Sequence, residues 1–316
     1  MNLNGRALRL VESLMGRAEE RRVATYPIEK GGRFVDCGIG STGGLAAGLE
    51  LARICLAGLA TVDLAPGDVA GRSVPFVQVV TDHPVAACLA SQYAGWAVQS
   101  ENYFAMGSGP MRAAAGTEHV FDAIGFREDA ASVVGVLETR KTPTAAVVAM
   151  ISAACRVAPS SVTLLAAPTA SLAGGLQVVA RSVETALHKL HGLGFDLGRV
   201  VSAYGSAPLP PVAKNDLAAI GRTNDAILYG ARVVLFVTGD DDDTLRDLGP
   251  RVPSSSSKDH GAPFAEVFAR YHNDFYAVDP HLFSPAEVVF QNLVTGRSHA
   301  FGAVDHTVLV RSFFEG

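Results

Sequence analysis

Arg181 and Glu184 stand three residues apart in a stretch whose apolar residues, Leu176, Ala180, Val183, Leu187 and Leu190, recur at helical spacing. Gln177, Arg181, Glu184 and His188 follow at steps of four, three and four, so a single helix would carry them as a stripe beside its apolar face. A guanidinium next to a carboxylate keeps it ionised and fixes its direction, and an ionised, oriented carboxylate can position water and take its proton. The same spacing also describes a solvated ion pair of little energetic weight, and spacing alone favours that ordinary reading. Upstream, Val162 to Ala167 is an apolar run that reads as a strand. Pro168-Thr169 and the small residues to Gly175, Ser171 among them, read as a tight turn into the helix. A strand, a turn and a helix would give the pair a rigid mount.

Other residues are candidates for holding a ligand. His83 precedes Pro84 at the end of an expected strand, Pro75 to Val80, and strand ends are favoured for ligand contacts. Ser91 and Gln92 fall near the far end of an expected helix, Val85 to Trp96. Gly107, Ser108 and Gly109 form a Gly-Ser-x-Pro turn in which glycine permits close backbone approach and serine offers a small donor and acceptor. An ordinary turn kept for backbone shape explains it equally well. Lys258 and His260 lie in Ser254 to Gly261, a segment low in side-chain bulk that reads as a mobile lid or a plain linker. Gly38 to Gly44 leads into a helix and could cradle an anion, although the dinucleotide fingerprint is absent and tight turns are the simpler role. Asp240 to Asp243 reads as an exposed acidic loop without EF-hand spacing.

The elements that must position these residues follow from pattern. Ala105 to Pro110 (A-x-G-S-x-P) recurs at Ala203 to Pro208, and Ala131 to Val134 recurs at Ala231 to Val234 in the same order. Co-linear matches suggest two similar α/β units from an internal duplication, residues 1–155 and 156–316, with a ligand cleft between them. A weaker echo pairs 32–38 with 296–302, suggesting a terminal hairpin in each half. The expected fold class is α/β with an α+β-like arrangement. Further expectations are a first helix over 3–20 capped by Asn2 or Asn4, a Pro66-Gly67-Asp68 turn, and a helix from Thr139 to Val157 joining the halves.

Composition narrows the function. With 316 residues, 48% hydrophobic and 18% charged, the chain can bury a large core. A net charge of -5 without a basic block argues against nucleic acid. There is neither a membrane-length apolar run nor a secretory pattern at the N-terminus, so no membrane partner and a cytoplasmic location are expected. Cys37, Cys55, Cys88 and Cys155 are far apart and fit reduced, buried thiols. No His spacing supports a metal site.

Five segments carry a resemblance. VVTDHPVAACLASQYAGW (79–96), YFAMGSGP (103–110), LLAAPTASLAG with VVARSVETALHKLHGLGFD (164–196), PSSSSKDHGAPF (253–264) and DPHLFSPAEVVFQNLVTG (279–296) resemble the methenyltetrahydromethanopterin cyclohydrolase family. The likeness runs nearly end to end and is weakest at 97–102 and near 240. It implies hydrolysis of the cyclic methenyl bridge of tetrahydromethanopterin, or its dephospho form, to the N5-formyl derivative, a reversible step of one-carbon metabolism and formaldehyde oxidation. It further implies two similar α/β domains around a pocket, a homotrimer, and no metal or redox cofactor, the pterin carrier being the substrate. Arg181 and Glu184 match the family's catalytic pair. His83, Ser91, Gln92, Gly107, Ser108, Gly109, Ser171, Lys258 and His260 are the expected substrate-binding residues. Another pterin- or folate-directed hydrolase, and a non-catalytic pterin-binding protein, remain as alternatives.

Overall fold

The computed structural model describes residues 1–100 and 102–315; Glu101, within the weakly matching 97–102 stretch, lies outside the described residues. Their strands are β1 (Ala24–Pro27), β2 (Arg33–Asp36), β3 (Thr61–Val69), β4 (Arg72–Thr81), β5 (Trp96–Ser100), β6 (Tyr103–Ser108), β7 (Val133–Glu138), β8 (Val162–Ala167), β9 (Val200–Pro208), β10 (Arg232–Val237), β11 (Glu287–Asn292) and β12 (Ser298–Gly302). They form two six-stranded sheets, ordered β1-β2-β8-β7-β6-β5 and β12-β11-β10-β9-β4-β3, in an α/β chain. Two compact units follow the sheets: residues 1–60 with 86–177, and 61–85 with 178–316. This division differs from the 1–155/156–316 split expected from sequence. Strand β8, after residue 155, pairs in parallel with β2 and β7 of the first sheet. Strands β3 and β4, before it, join the second sheet through β9.

In the first unit, β8 is buried at every position, which is why its sequence, Thr163 apart, is apolar throughout rather than alternating. Successive side chains enter different cores. Phe34, Val133, Leu164 and Ala166 pack with Val147 and Ile151 of the helix Ala145–Cys155. Val35, Val134, Leu165 and Ala167 pack with Val11 and Leu14 of the helix Leu3–Met15 and with Leu51 and Ile54 of the helix Leu45–Cys55. Each fully buried aliphatic side chain is worth roughly 1.5–3 kcal/mol. Of the two expected N-caps, Asn2 is the one used, accepting from the Gly5 N–H. Asn4 instead bonds Pro110 O and the Val134 N–H, fixing the helix on the sheet. The helix expected over 139–157 begins only at Ala145, capped by Thr144 with Pro143 outside it, and belongs to the first unit rather than joining halves.

In the second unit, β3 runs through Pro66-Gly67-Asp68 where a turn was expected, and the chain turns at Ala70-Gly71 instead. Gly67 serves packing: a Cβ there would lie 2.3 Å from the Phe76 ring. Pro66 is tolerated because β3 is an edge strand.

The two A-x-G-S-x-P motifs end β6 and β9, and in each sheet the next strand pairs antiparallel with the motif strand. Registers differ, since Gly107 faces Leu137 whereas Gly205 faces Val233. Each sheet also ends in an antiparallel hairpin, β1–β2 and β11–β12. Among the described residues no helix is long and apolar enough to cross a membrane.

Candidate active site

Strand β8 ends at Ala167, and the turn that follows is built on Ser171. Its hydroxyl donates to Pro168 O at 2.8 Å and accepts the Gly174 N–H at 3.0 Å. A Cβ at Gly174 would stand 2.0 Å from Pro168 O, so only glycine fits this close approach.

The helix expected to run unbroken through Leu190 is two helices, Leu172–Val179 and Ser182–Gly192. Arg181 lies between them at φ -92, ψ 10, its N–H bonded to Val178 O and its carbonyl accepting from the Thr185 N–H. Nothing in Val179-Ala180-Arg181 breaks a helix by type, so the periodicity gave no warning. The stripe is therefore split. Gln177 stays in the first helix and donates to Glu138 Oε1 at 3.1 Å. Arg181 caps the second helix, Glu184 sits in its first turn and His188 follows, half-buried.

Arg181 is 6% exposed and Glu184 4%. Charged side chains are almost never this buried unless partnered, so a pair merely dissolved at the surface is ruled out. Ser182, between them, is fully buried against β9, where a Cβ at Gly205 would lie 2.3 Å from its hydroxyl. The glycine of the second A-x-G-S-x-P motif thus lets the Arg181–Glu184 turn press onto the sheet.

The first unit gathers Ser91, Gln92, Ser108 and Gly109. Val85–Gln92 is a π-helix, with Tyr93 N–H bonded to Cys88 O, and it stops at Gln92 rather than at Trp96. Such wide turns often mark functional sites. Ser91 donates to Cys55 O at 2.6 Å and Ser108 to Val136 O at 3.1 Å, so both hydroxyl protons are spent inside the protein. Gly109 adopts φ +88 and gives its N–H to Ser91 O, a backbone state that favours glycine. Gly107 packs tightly, since a Cβ there would lie 2.9 Å from Met111 Cε.

The sequence did not reveal Arg112. It is fully buried, grips both oxygens of Glu118 at 2.8 and 2.6 Å, donates to Leu89 O and Ser91 O, and lies over the Tyr93 and Phe121 rings. It and Glu118 are six residues apart across a break at Gly116, a separation that leaves no periodic signal.

In the second unit, His83 is exposed, with its N–H on Thr81 Oγ1. Lys258 is exposed and its N–H donates to Asp279 Oδ2. The His260 ring packs 4.8 Å from that of Tyr229, and burial pulls its pKa below the ordinary value against the opposing charge of Asp305. The serine-rich segment carrying both is tied at many points, where a loose lid or linker was expected. Ser254 N–H donates to Pro285 O, Ser257 Oγ to Asp279 Oδ2, and Gly261 N–H to the Tyr229 hydroxyl.

Two glycine-rich or acidic features prove to be internal supports. The N–H groups of Gly38, Ile39, Gly40 and Ser41 all point at the carboxylate of Asp36, at 2.6–2.9 Å, so the turn that could cradle an anion holds the chain's own. Within the acidic loop Asp242 is buried and accepts from Asn292, Thr295 and Arg297, pinning the β11–β12 hairpin.

Comparison with known proteins then bears on the chain as a whole. The family described as Cyclohydrolase (MCH) matches residues 2–313. A methenyltetrahydromethanopterin cyclohydrolase of Methylobacterium sp. (strain 4-46) is 49% identical over 99% of this chain and 97% of its own. One from Rhodopirellula baltica is 50% identical over 90% and 86%, and one from Methanosphaerula palustris 42% identical over 99% of each. With the family matched from residue 2 to 313 and such relatives aligned over most of their length, this chain belongs to the MCH cyclohydrolase family.

Proposed function

We propose that this chain hydrolyses the methenyl bridge of a tetrahydromethanopterin-type carrier to the N5-formyl form, with Glu184 as general base and Arg181 orienting it. The activity is the one for which relatives that align over nearly all of the chain are named. The observation that carries the catalytic assignment is the burial of Arg181 and Glu184 at the start of one helix. The substrate's bridging carbon lies between two nitrogens in a cationic amidinium and is already electrophilic. A water oxygen bonds to that carbon while Glu184 takes one of its protons. The bond from this carbon to the second nitrogen then breaks, and Glu184 returns the proton to that nitrogen. The remaining hydroxyl proton passes to solvent as the formyl C=O forms. Nothing is oxidised or reduced, so the reading assigns no redox cofactor, and it assigns no metal. A buried carboxylate also stabilises the cation before attack.

The remaining parts of the reading are a homotrimer in the cytoplasm and a pterin held by His83, Ser91, Gln92, Gly107, Ser108, Gly109, Ser171, Lys258 and His260.

The test follows the methenyl chromophore as it is lost, with the folate analogue as control. Wild type should bleach the methanopterin substrate and not the folate. Glu184→Gln should lower kcat by about 10²–10⁴ with substrate binding largely kept. Full turnover by that variant would refute the assignment.

A further inference from the structure

Lys189 sits five residues after Glu184 on the helix Ser182–Gly192 and is 5% exposed. Its ammonium donates to the His281 carbonyl at 2.6 Å and to Ser256 Oγ at 3.2 Å. These acceptors lie in separate one-turn 3-10 segments, Pro280–Leu282 and Ser254–Ser256. The two stretches are bonded to each other. Ser257 Oγ and the Lys258 N–H both donate to Asp279 Oδ2, the Asp279 N–H donates to Asp259 Oδ2, and the Tyr271 hydroxyl donates to the same Asp259 carboxylate. Burial of an ammonium is costly, and here it pulls the Lys189 pKa to about 8 against the attraction of Asp279, with Arg251 adding to the fall. An apolar side chain would fill the same space without that cost, so the cation's value lies in the two acceptors it joins.

We propose that Lys189 is a positioning residue: it clamps the 254–260 stretch, which carries Lys258 and His260, onto the helix that Arg181 caps and that carries Glu184 in its first turn. It thereby fixes the place of the side chains that grip the pterin. The proposal rests on the reading of Lys258 and His260 as pterin-binding residues. Lys189 acts through them and touches no reacting atom.

The experiment measures kcat and KM for the methenyl substrate, with melting temperature alongside, in Lys189→Met, Lys189→Arg and Ser256→Ala. Lys189→Met should raise KM about tenfold while kcat stays within about twofold, because uniform binding is lost and chemistry is not. Lys189→Arg, which keeps donors for both acceptors, should recover most of the KM. Ser256 is exposed, so its variant keeps the fold and decides the matter even if Lys189→Met does not; its KM should rise about threefold. A lower melting temperature with unchanged KM in Lys189→Met would reduce Lys189 to a structural role and overturn the proposal. So would a fall in kcat at constant KM, or an unchanged KM in Ser256→Ala. Glu184→Gln run in parallel keeps the two readings apart, since full turnover there removes the general base while leaving the clamp to its own KM result.

Discussion

Asp225 offers a stability prediction whose size follows from its surroundings. It lies on the helix Asp216–Leu228, fully buried, and accepts the Phe264 N–H at 2.7 Å and the Ser312 hydroxyl at 2.6 Å. Burial, with the nearby charge of Glu266, pushes its pKa up to about 7 from 3.8, outweighing the two hydrogen bonds. The folded state therefore binds this proton more tightly than the unfolded chain. The associated stabilisation is complete below the unfolded pKa of 3.8 and is withdrawn as pH rises through the folded value of about 7. A gap of about three pH units is worth about 4 kcal/mol, of which about 3 kcal/mol falls between pH 5 and pH 8. Asp225→Asn removes the titration and keeps the contacts. Its amide oxygen accepts from Phe264, and its amide nitrogen donates to the Ser312 hydroxyl once that hydroxyl rotates. Thermal melting of both proteins from pH 5 to pH 8 checks this. Relative to Asp225→Asn, the wild type should lose about 5 °C or more over that interval, at roughly 2 °C per kcal/mol for a chain this large. Parallel curves would refute the argument, because they would mean that Asp225 titrates alike in both states.

Two further outcomes are expected besides those for Glu184 and Lys189. Asp36→Asn should cost about 2–4 kcal/mol in urea unfolding, because an amide cannot accept four N–H donors. Burial alone would raise the Asp36 pKa, but the four backbone donors hold it below the ordinary value. Its stabilisation is thus present above the unfolded pKa and lost as pH falls through the depressed folded one; a variant as stable as wild type at pH 7 would contradict this. Gly205→Ala drives a methyl into the Ser182 hydroxyl and displaces the turn bearing Arg181 and Glu184. Its kcat/KM should fall about tenfold or more, and Ser182→Gly in the same chain should restore part of it; an unaffected single variant would show that this close contact does not set the site.

What the sequence made legible was burial. Val162 to Ala167, apolar but for Thr163, announced a strand, and all six positions are buried. The burial of Arg181 and Glu184 was not legible in this way, because their spacing alone favoured a solvated pair and only the resemblance marked them as catalytic. Less legible was anything that depends on backbone detail without a residue signature. The break at Ala180-Arg181 involves good helix formers, and the π-turns of Val85–Gln92 use residues equally at home in an α-helix. Gly67 was read as a turn because glycine more often serves a bend than a ring packed across a strand. Partners distant in sequence were hidden altogether. Nothing at Lys189 signals that its acceptor is the His281 carbonyl, 92 residues further on, and Asp36 gave no hint that it would fill its own anion cradle.

The interleaving of the two sheets has a consequence for synthesis. The β3–β4 hairpin is complete at residue 81, yet its inner neighbour β9 begins at residue 200, so β4 leaves the ribosome with an unpaired edge and more than a hundred residues still to come. Its alternating Val77 and Val79, fully buried in the finished fold, stay without their sheet for that interval. Nascent chains of this protein should therefore depend on holdase chaperones more than proteins whose domains close in order. A gene split at codon 155 should give two fragments that are insoluble apart and recover only when expressed together.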